Sequence, residues 1–88
     1  MRIKIRLYAL LRDLYGSPED IIELSDERVT VKNILYHISL KNEKLKVFLE
    51  SRGESIITLV NGLYAPHETE LKDGDTIDLL PPASGGSI

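Results

Sequence analysis

The chain has 88 residues, 42% of them hydrophobic, with 11 Lys and Arg against 14 Asp and Glu, a net charge of −3 and no cysteine. That length makes one domain with a single modest core. The acid excess argues against a nucleic-acid partner, and the missing thiols exclude disulfides, thiolate metal sites and cysteine nucleophiles.

Ile3, Ile5 and Leu7 alternate with Arg2, Lys4 and Arg6 at the start. This period of two predicts a strand over 2–8 with one buried face. Residues 9–15 predict a short helix, with Leu10, Leu11 and Leu14 on one side and Gly16 as its stop. Ser17-Pro18 turns the chain, and Ile21 to Leu24 read as a second strand before a loop over 25–28. The main helix follows. Thr30 is its N-cap, and Val29 and Ile34 have the spacing of a hydrophobic staple. Val31, Ile34, Leu35 and Ile38 form the stripe of a helix that lies on a sheet. Residues 43–50 predict another helical turn or two, with Leu45, Phe48 and Leu49 inward.

Ile56 to Val60 predict a further strand. Asn61-Gly62 after it signals a type I′ hairpin turn, whose two central residues need positive φ. Leu63 to Ala65 return briefly, Leu71 plugs the core, and Asp73-Gly74-Asp75 makes a tight turn. Thr76 to Leu80 form the last strand, with Ile77 and Leu79 on one face. The expected core is Ile3, Ile5, Leu7, Ile34, Leu35, Ile38, Leu59, Ile77 and Leu79. One amphipathic helix with several strands to cover makes a two-layer α+β domain over residues 1–80.

Little in this body suggests chemistry. There is no P-loop and no Gly-x-Gly-x-x-Gly. His37 and His67 stand far apart without metal-ligand spacing, so no metal is expected. Glu68, Glu70, Asp73, Asp75 and Asp78 lack the spacing of a calcium loop and read as a solvated acidic edge. Lys41, Lys44 and Lys46, with Phe48 as the nearby aromatic, are too sparse for a nucleic-acid patch. No signal peptide is visible, and no stretch approaches the roughly 20 apolar residues of a membrane span, so a cytoplasmic protein is expected.

The chain end differs. Pro81 and Pro82 stop the last strand because proline cannot donate to a sheet ladder. Ala83, Ser84, Gly85, Gly86, Ser87 and Ile88 follow, small and uncharged. Residues 81–88 are expected to project as a flexible tail, and six of them extended would reach about 20 Å. Adjacent glycines pass through a channel too narrow for side chains. A frayed end and a segment handled by another protein both fit these residues. Leu80, out of phase with Ile77 and Leu79, is a candidate docking residue beside the tail.

Four stretches together resemble a known family: Arg6 to Gly16 (RLYALLRDLYG), Leu59 to Gly62 (LVNG), Leu71 to Ile77 (LKDGDTI) and Leu80 to Gly86 (LPPASGG). They look like the small subunit of molybdopterin synthase, among the ubiquitin-like sulfur carriers. The resemblance spans nearly the whole chain, and its specific part is the last two stretches in tandem. It implies a β-grasp fold, a mixed sheet of about five strands gripping one main helix, with first and last strands parallel and central.

It also implies a non-catalytic carrier that binds no cofactor. A partner adenylyltransferase, similar to ubiquitin-activating enzymes, would use ATP to adenylate Gly86, with Gly85 beside it. The adenylate would become a thiocarboxylate, and the synthase large subunit would pass that sulfur to a pterin precursor. Family members usually end at Gly-Gly, whereas Ser87 and Ile88 follow here. A carboxylate at Gly86 therefore requires their removal, and some relatives carry extensions that a protease trims. Other readings stay open: a sulfur carrier for thiamine, cysteine or tRNA thiolation, a ubiquitin-like protein modifier, or a binding module with an inert tail. Thiamine-type carriers tend to be shorter, which favours the molybdopterin reading over that one.

Overall fold

The computed structural model describes residues 1–82. Ala83, Ser84, Gly85, Gly86, Ser87 and Ile88, which carry most of the tail expectations, lie outside the described residues. The elements are β1 (Arg2–Leu7), α1 (Leu10–Tyr15), β2 (Glu19–Glu23), α2 (Val31–Ser39), α3 (Glu43–Arg52), β3 (Ile57–Val60), β4 (Leu63–Tyr64) and β5 (Thr76–Leu80). The five strands form one sheet in the order β2-β1-β5-β3-β4. β1 and β5 pair in parallel at its centre, and the other neighbours are antiparallel. This mixed sheet packed on helices is the α+β architecture expected from the sequence.

Alternation builds the core. Ile3, Ile5 and Leu7 on β1 and Ile77 and Leu79 on β5 turn to one face and are at most 2% exposed. α2 covers them with Val31, Ile34, Leu35 and Ile38. The helix starts where the sequence placed it: the Thr30 hydroxyl accepts from the Asn33 N–H while Asn33 Oδ1 accepts from the Thr30 N–H at 2.8 Å. That reciprocal pair satisfies donors the first turn cannot. Val29 and Ile34, the two ends of the staple, are both buried. Leu71 is buried as expected, and Leu11, Ile22, Leu45 and Ile56 complete the core.

Three local expectations change. Leu59 is not in the core. Thr58 takes the inward position on β3, 1% exposed, because it lies opposite Leu79 while Leu59 lies opposite Asp78 on the other face. The Thr58 hydroxyl reaches the Ala65 carbonyl, so a polar side chain is buried without an unmet hydrogen bond. Leu10 is 46% exposed, and only Leu11 of α1 is fully buried. α3 runs for ten residues rather than a turn or two. It buries only Leu45 fully, while Phe48 and Leu49 pack partly and Val47 is exposed. That thin apolar face made it hard to foresee.

Two of the recognised sequence stretches lock onto each other. Asn61 accepts from the Thr76 N–H at 3.0 Å and donates to Asp75 at 2.9 Å. Asp75 also accepts from the Lys72 N–H, and Asp73 from the Arg2 N–H, each at 2.7 Å. Asn61 and Gly62 both have positive φ, 52° and 85°, as the turn requires. Much of the supposed solvated acidic edge is therefore turn architecture.

Candidate functional site

The site is built around the end of β5. Leu7 lies opposite Leu79, and the Tyr8 N–H donates to the Leu79 carbonyl at 3.2 Å. The chain following β1 thus runs beside the C-terminal end of the last strand. Leu80 pairs with Ile57 of β3 and is half-buried on the sheet face opposite the helices, as expected from its phase. Pro81 and Pro82 follow outside the strand, also half-buried.

Residues directly opposite in a sheet share a face. Register therefore places Glu19, Arg6, Asp78, Leu59 and Tyr64 in one row across the open face. Leu80 and Ile57 lie beside it. Ile57 is 43% exposed and Tyr64 73%, so the β3–β4 side of this face presents apolar and aromatic side chains to solvent. The sequence reading named Leu80 alone and missed the residues around it.

An ionic cluster interrupts this surface. Arg6 Nε donates to Asp78 Oδ1 at 2.6 Å, and its terminal nitrogen donates to Oδ2 at 3.1 Å. The Tyr8 hydroxyl donates to Oδ1 at 3.1 Å. Asp78 is only 6% exposed, whereas the Arg6 side chain is 44% exposed and caps it. The hydrogen bond and charge of Arg6 hold the Asp78 carboxyl below its usual range, with Tyr8 adding to the effect against the cost of burial. Burial first, and then the bond to Asp78, raises the Tyr8 hydroxyl. The available signal was a lone acid inside the apolar strand IDLL. Its partner, 72 residues earlier in the chain, becomes apparent only once β1 and β5 are paired in register.

The corner beside this cluster is strained. Leu11 N–H donates to the Tyr8 carbonyl at 3.1 Å, closing a four-residue turn. Ala9 stands at its first corner with φ 53° and ψ −126°. Those angles mirror the type II corner and belong to glycine, because a Cβ crowds the backbone there. Tyr8 and Leu10 on either side are 40% and 46% exposed.

Elsewhere the surface offers less. A groove of about 350 Å³ between α2 and α3 is lined by Leu35, Tyr36, Leu49 and both signs of charge. A second depression of about 340 Å³ lies around Ile56, Thr58 and His67. Neither is lined by a residue of β5 or by Pro81 and Pro82. Among the described residues no group of three or more His, Asp or Glu is placed to hold a metal, and no helix is long and apolar enough to cross a membrane.

Comparison with known proteins gives this frame a family. A family model described as "ThiS family" matches residues 5–86. The chain belongs to this family. This ThiS-family chain is 31% identical to the molybdopterin synthase sulfur carrier subunit of Haemophilus influenzae, across 96% of its own length and 99% of the relative's. It is 29% identical to small archaeal modifier protein 3 of Haloferax volcanii, across 98% and 100%. Its fold matches the putative molybdopterin converting factor subunit 1 of Pyrococcus furiosus with a TM-score of 0.78, at 31% identity over 94% and 99% of the two chains. It also matches a chain in the complex of subunits 1 and 2 of the Helicobacter pylori molybdopterin-converting factor, with a TM-score of 0.61 at 26% identity over 98% and 100%. The ubiquitin-like sulfur-carrier family and the β-grasp fold expected from the sequence are both borne out.

Proposed function

We propose that this chain is the sulfur-carrier subunit of a molybdopterin synthase, and that Gly86 carries the sulfur. The observation that supports this most strongly is the pairing of two features: a family match running from residue 5 to residue 86, and a central strand that ends at Leu80 next to a proline pair. The sheet anchors the base of the tail, and the partner supplies the chemistry.

The steps follow from the chemistry of a carboxylate. Hydrolysis of the Gly86–Ser87 amide by a protease frees the Gly86 carboxylate. A carboxylate is a poor electrophile, so an adenylyltransferase joins it to the α-phosphate of ATP, and pyrophosphate leaves. A sulfur nucleophile then displaces AMP to give the thiocarboxylate. The large subunit passes that sulfur to the pterin precursor, and the glycine carboxylate is regenerated with an oxygen from water. Gly85 and Gly86 suit this passage because they carry no side chain. Ala83 and Ser84 act as spacers. Leu80, with Ile57 and Leu59, docks the partner close to the tail, since apolar surface on an open face marks an interaction site.

A second reading has specific support in the likeness to the small archaeal modifier protein. The same adenylate, attacked by a lysine amine instead of a sulfur nucleophile, would give an amide bond to a target protein.

Three chains test the proposal: the full sequence, one ending at Gly86, and one ending at Gly86 with Gly86→Ala. Every core residue lies between Ile3 and Leu79, so all three keep the fold. With the host's activating enzyme, ATP and a sulfur donor, the chain ending at Gly86 should exchange one oxygen for sulfur in its intact mass. The full sequence should not react, and the alanine chain should react poorly because its methyl group displaces the reacting carbon. Conjugates to lysine-bearing proteins without a thiocarboxylate would favour the modifier. A chain ending at Gly86 that stays unmodified would refute the carrier reading.

A further inference from the structure

We infer that Asp78 is a positioning residue for partner engagement, acting through Tyr8. The inference rests on the carrier reading and adds a residue for which that reading has no role. Asp78 interrupts an apolar strand and stands where the charged outer side of β1 meets the apolar residues Leu59 and Tyr64, a position where a hydrophobic side chain would serve packing as well. It is kept there fully paired, with three hydrogen bonds from two residues. Both donors come from β1 or the residue just after it, so the cluster ties the end of β1 to the end of β5. Tyr8 is fixed at two points: its N–H on the Leu79 carbonyl and its hydroxyl on Asp78.

What those two points hold is the strained corner. Ala9 occupies angles that cost a residue with a Cβ, and such a conformation persists only where its surroundings over-determine it. The ring of Tyr8 and the side chain of Leu10, exposed on either side, gain nothing for the core. A protein that draws the tail into its active site must approach the end of β5, and this corner is bonded to that end. The network therefore fixes the direction in which Tyr8 and Leu10 are presented to the protein that activates the tail. It acts on recognition and not on the reacting atoms.

Arg6 adds a requirement for the partner's chemistry. Two of its nitrogens are engaged by Asp78, while its side chain remains 44% exposed. A partner covering this face would strip water from the guanidinium, at a cost unless it brings an acceptor. The activating partner is accordingly expected to place a backbone carbonyl or a carboxylate over Arg6.

The test uses chains ending at Gly86, the host's activating enzyme and ATP, with initial rates of adenylate formation. Tyr8→Phe removes only the hydroxyl and keeps the ring, and Asp78→Ala removes the anchor. Each should raise KM for the carrier roughly 3- to 10-fold, the value of the Tyr8–Asp78 hydrogen bond that both remove, with kcat unchanged. The double variant should be no worse than the poorer single one, because both break the same link. Thermal midpoints read any purely structural role separately, and Tyr8→Phe keeps the test valid if Asp78→Ala folds poorly. An unchanged KM in Tyr8→Phe and Asp78→Ala, with normal activation of the parent chain, overturns the inference alone. A parent chain that forms no adenylate overturns both the inference and the carrier reading.

Discussion

The corner at Ala9 offers a test in which deleting a methyl group should stabilise the fold. Ala9 sits at φ 53° and ψ −126°, a region that costs a residue with a Cβ about 1–3 kcal/mol. Glycine adopts it without that cost. Against this, glycine frees the unfolded chain, which costs about 0.5–1 kcal/mol. The methyl is at an exposed position, so little burial is lost. The balance for Ala9→Gly is a gain of about 1 kcal/mol, or a rise of about 4–8 °C in Tm for a domain of this size. Circular dichroism during heating and during urea titration would measure it, with an unchanged urea slope showing that the same surface is exposed on unfolding. Ala9→Val should move the other way, because a branched side chain fits those angles worse. A midpoint for Ala9→Gly that is equal to or below the parent's would refute the strain argument.

Other perturbations follow from the packing and the charges. Ile34→Ala should cost about 3–5 kcal/mol and Leu35→Ala about 2–3, because Ile34 is fully buried while Leu35 borders the groove beside Leu49; equal denaturation midpoints would contradict that orientation of α2. Asp78 and Asp20 are both held below the usual carboxylate range, Asp78 mainly by Arg6 and Asp20 mainly by Tyr15. A lowered folded value means their contribution is complete above the unfolded carboxylate pKa of about 4 and is lost as pH falls through the folded values. Tyr8 and Tyr15 are raised, so their contribution is complete below about pH 10 and is lost above it. A urea midpoint flat between about pH 5 and 9 and falling on both sides is the expected profile, and Asp78→Asn should flatten the acid limb. Leu80→Asp should weaken capture of the activating enzyme at least 10-fold with a native circular dichroism spectrum, as expected for an apolar anchor; unchanged capture would remove Leu80 from the docking surface.

Much of this architecture is written in local patterns. The alternation in β1, the Thr30 cap with its staple, and the Asn61-Gly62 turn each carry their own signal within a few residues. The failures lie where meaning depends on a distant partner. Ile56 to Val60 is apolar at every position but Thr58, so neither parity looks inward, and the choice of Thr58 over Leu59 follows from its hydrogen bond to Ala65. Asp78 looked like part of a solvated acidic edge because Arg6 is remote in sequence. At the candidate site the proline pair that follows β5 was plain to read. The strained corner at Ala9 was not, because its alanine carries no mark of a glycine conformation.

The parallel pairing of β1 with β5 also bears on synthesis. The strand made first waits for the strand made last, and their register spans residues 4–7 and 76–79. Until β5 leaves the ribosome, β1 has β2 on one edge and nothing to close the other. Such long-range closure comes late in folding and slows it. A nascent chain stalled before residue 76 should therefore remain open to protease, with Ile3 and Ile5 uncovered by their final neighbours. The tail lies beyond that last strand, so it emerges only when the sheet that holds it is able to close. Whatever handles the residues after Leu80 therefore meets them on a chain whose five strands have all been made.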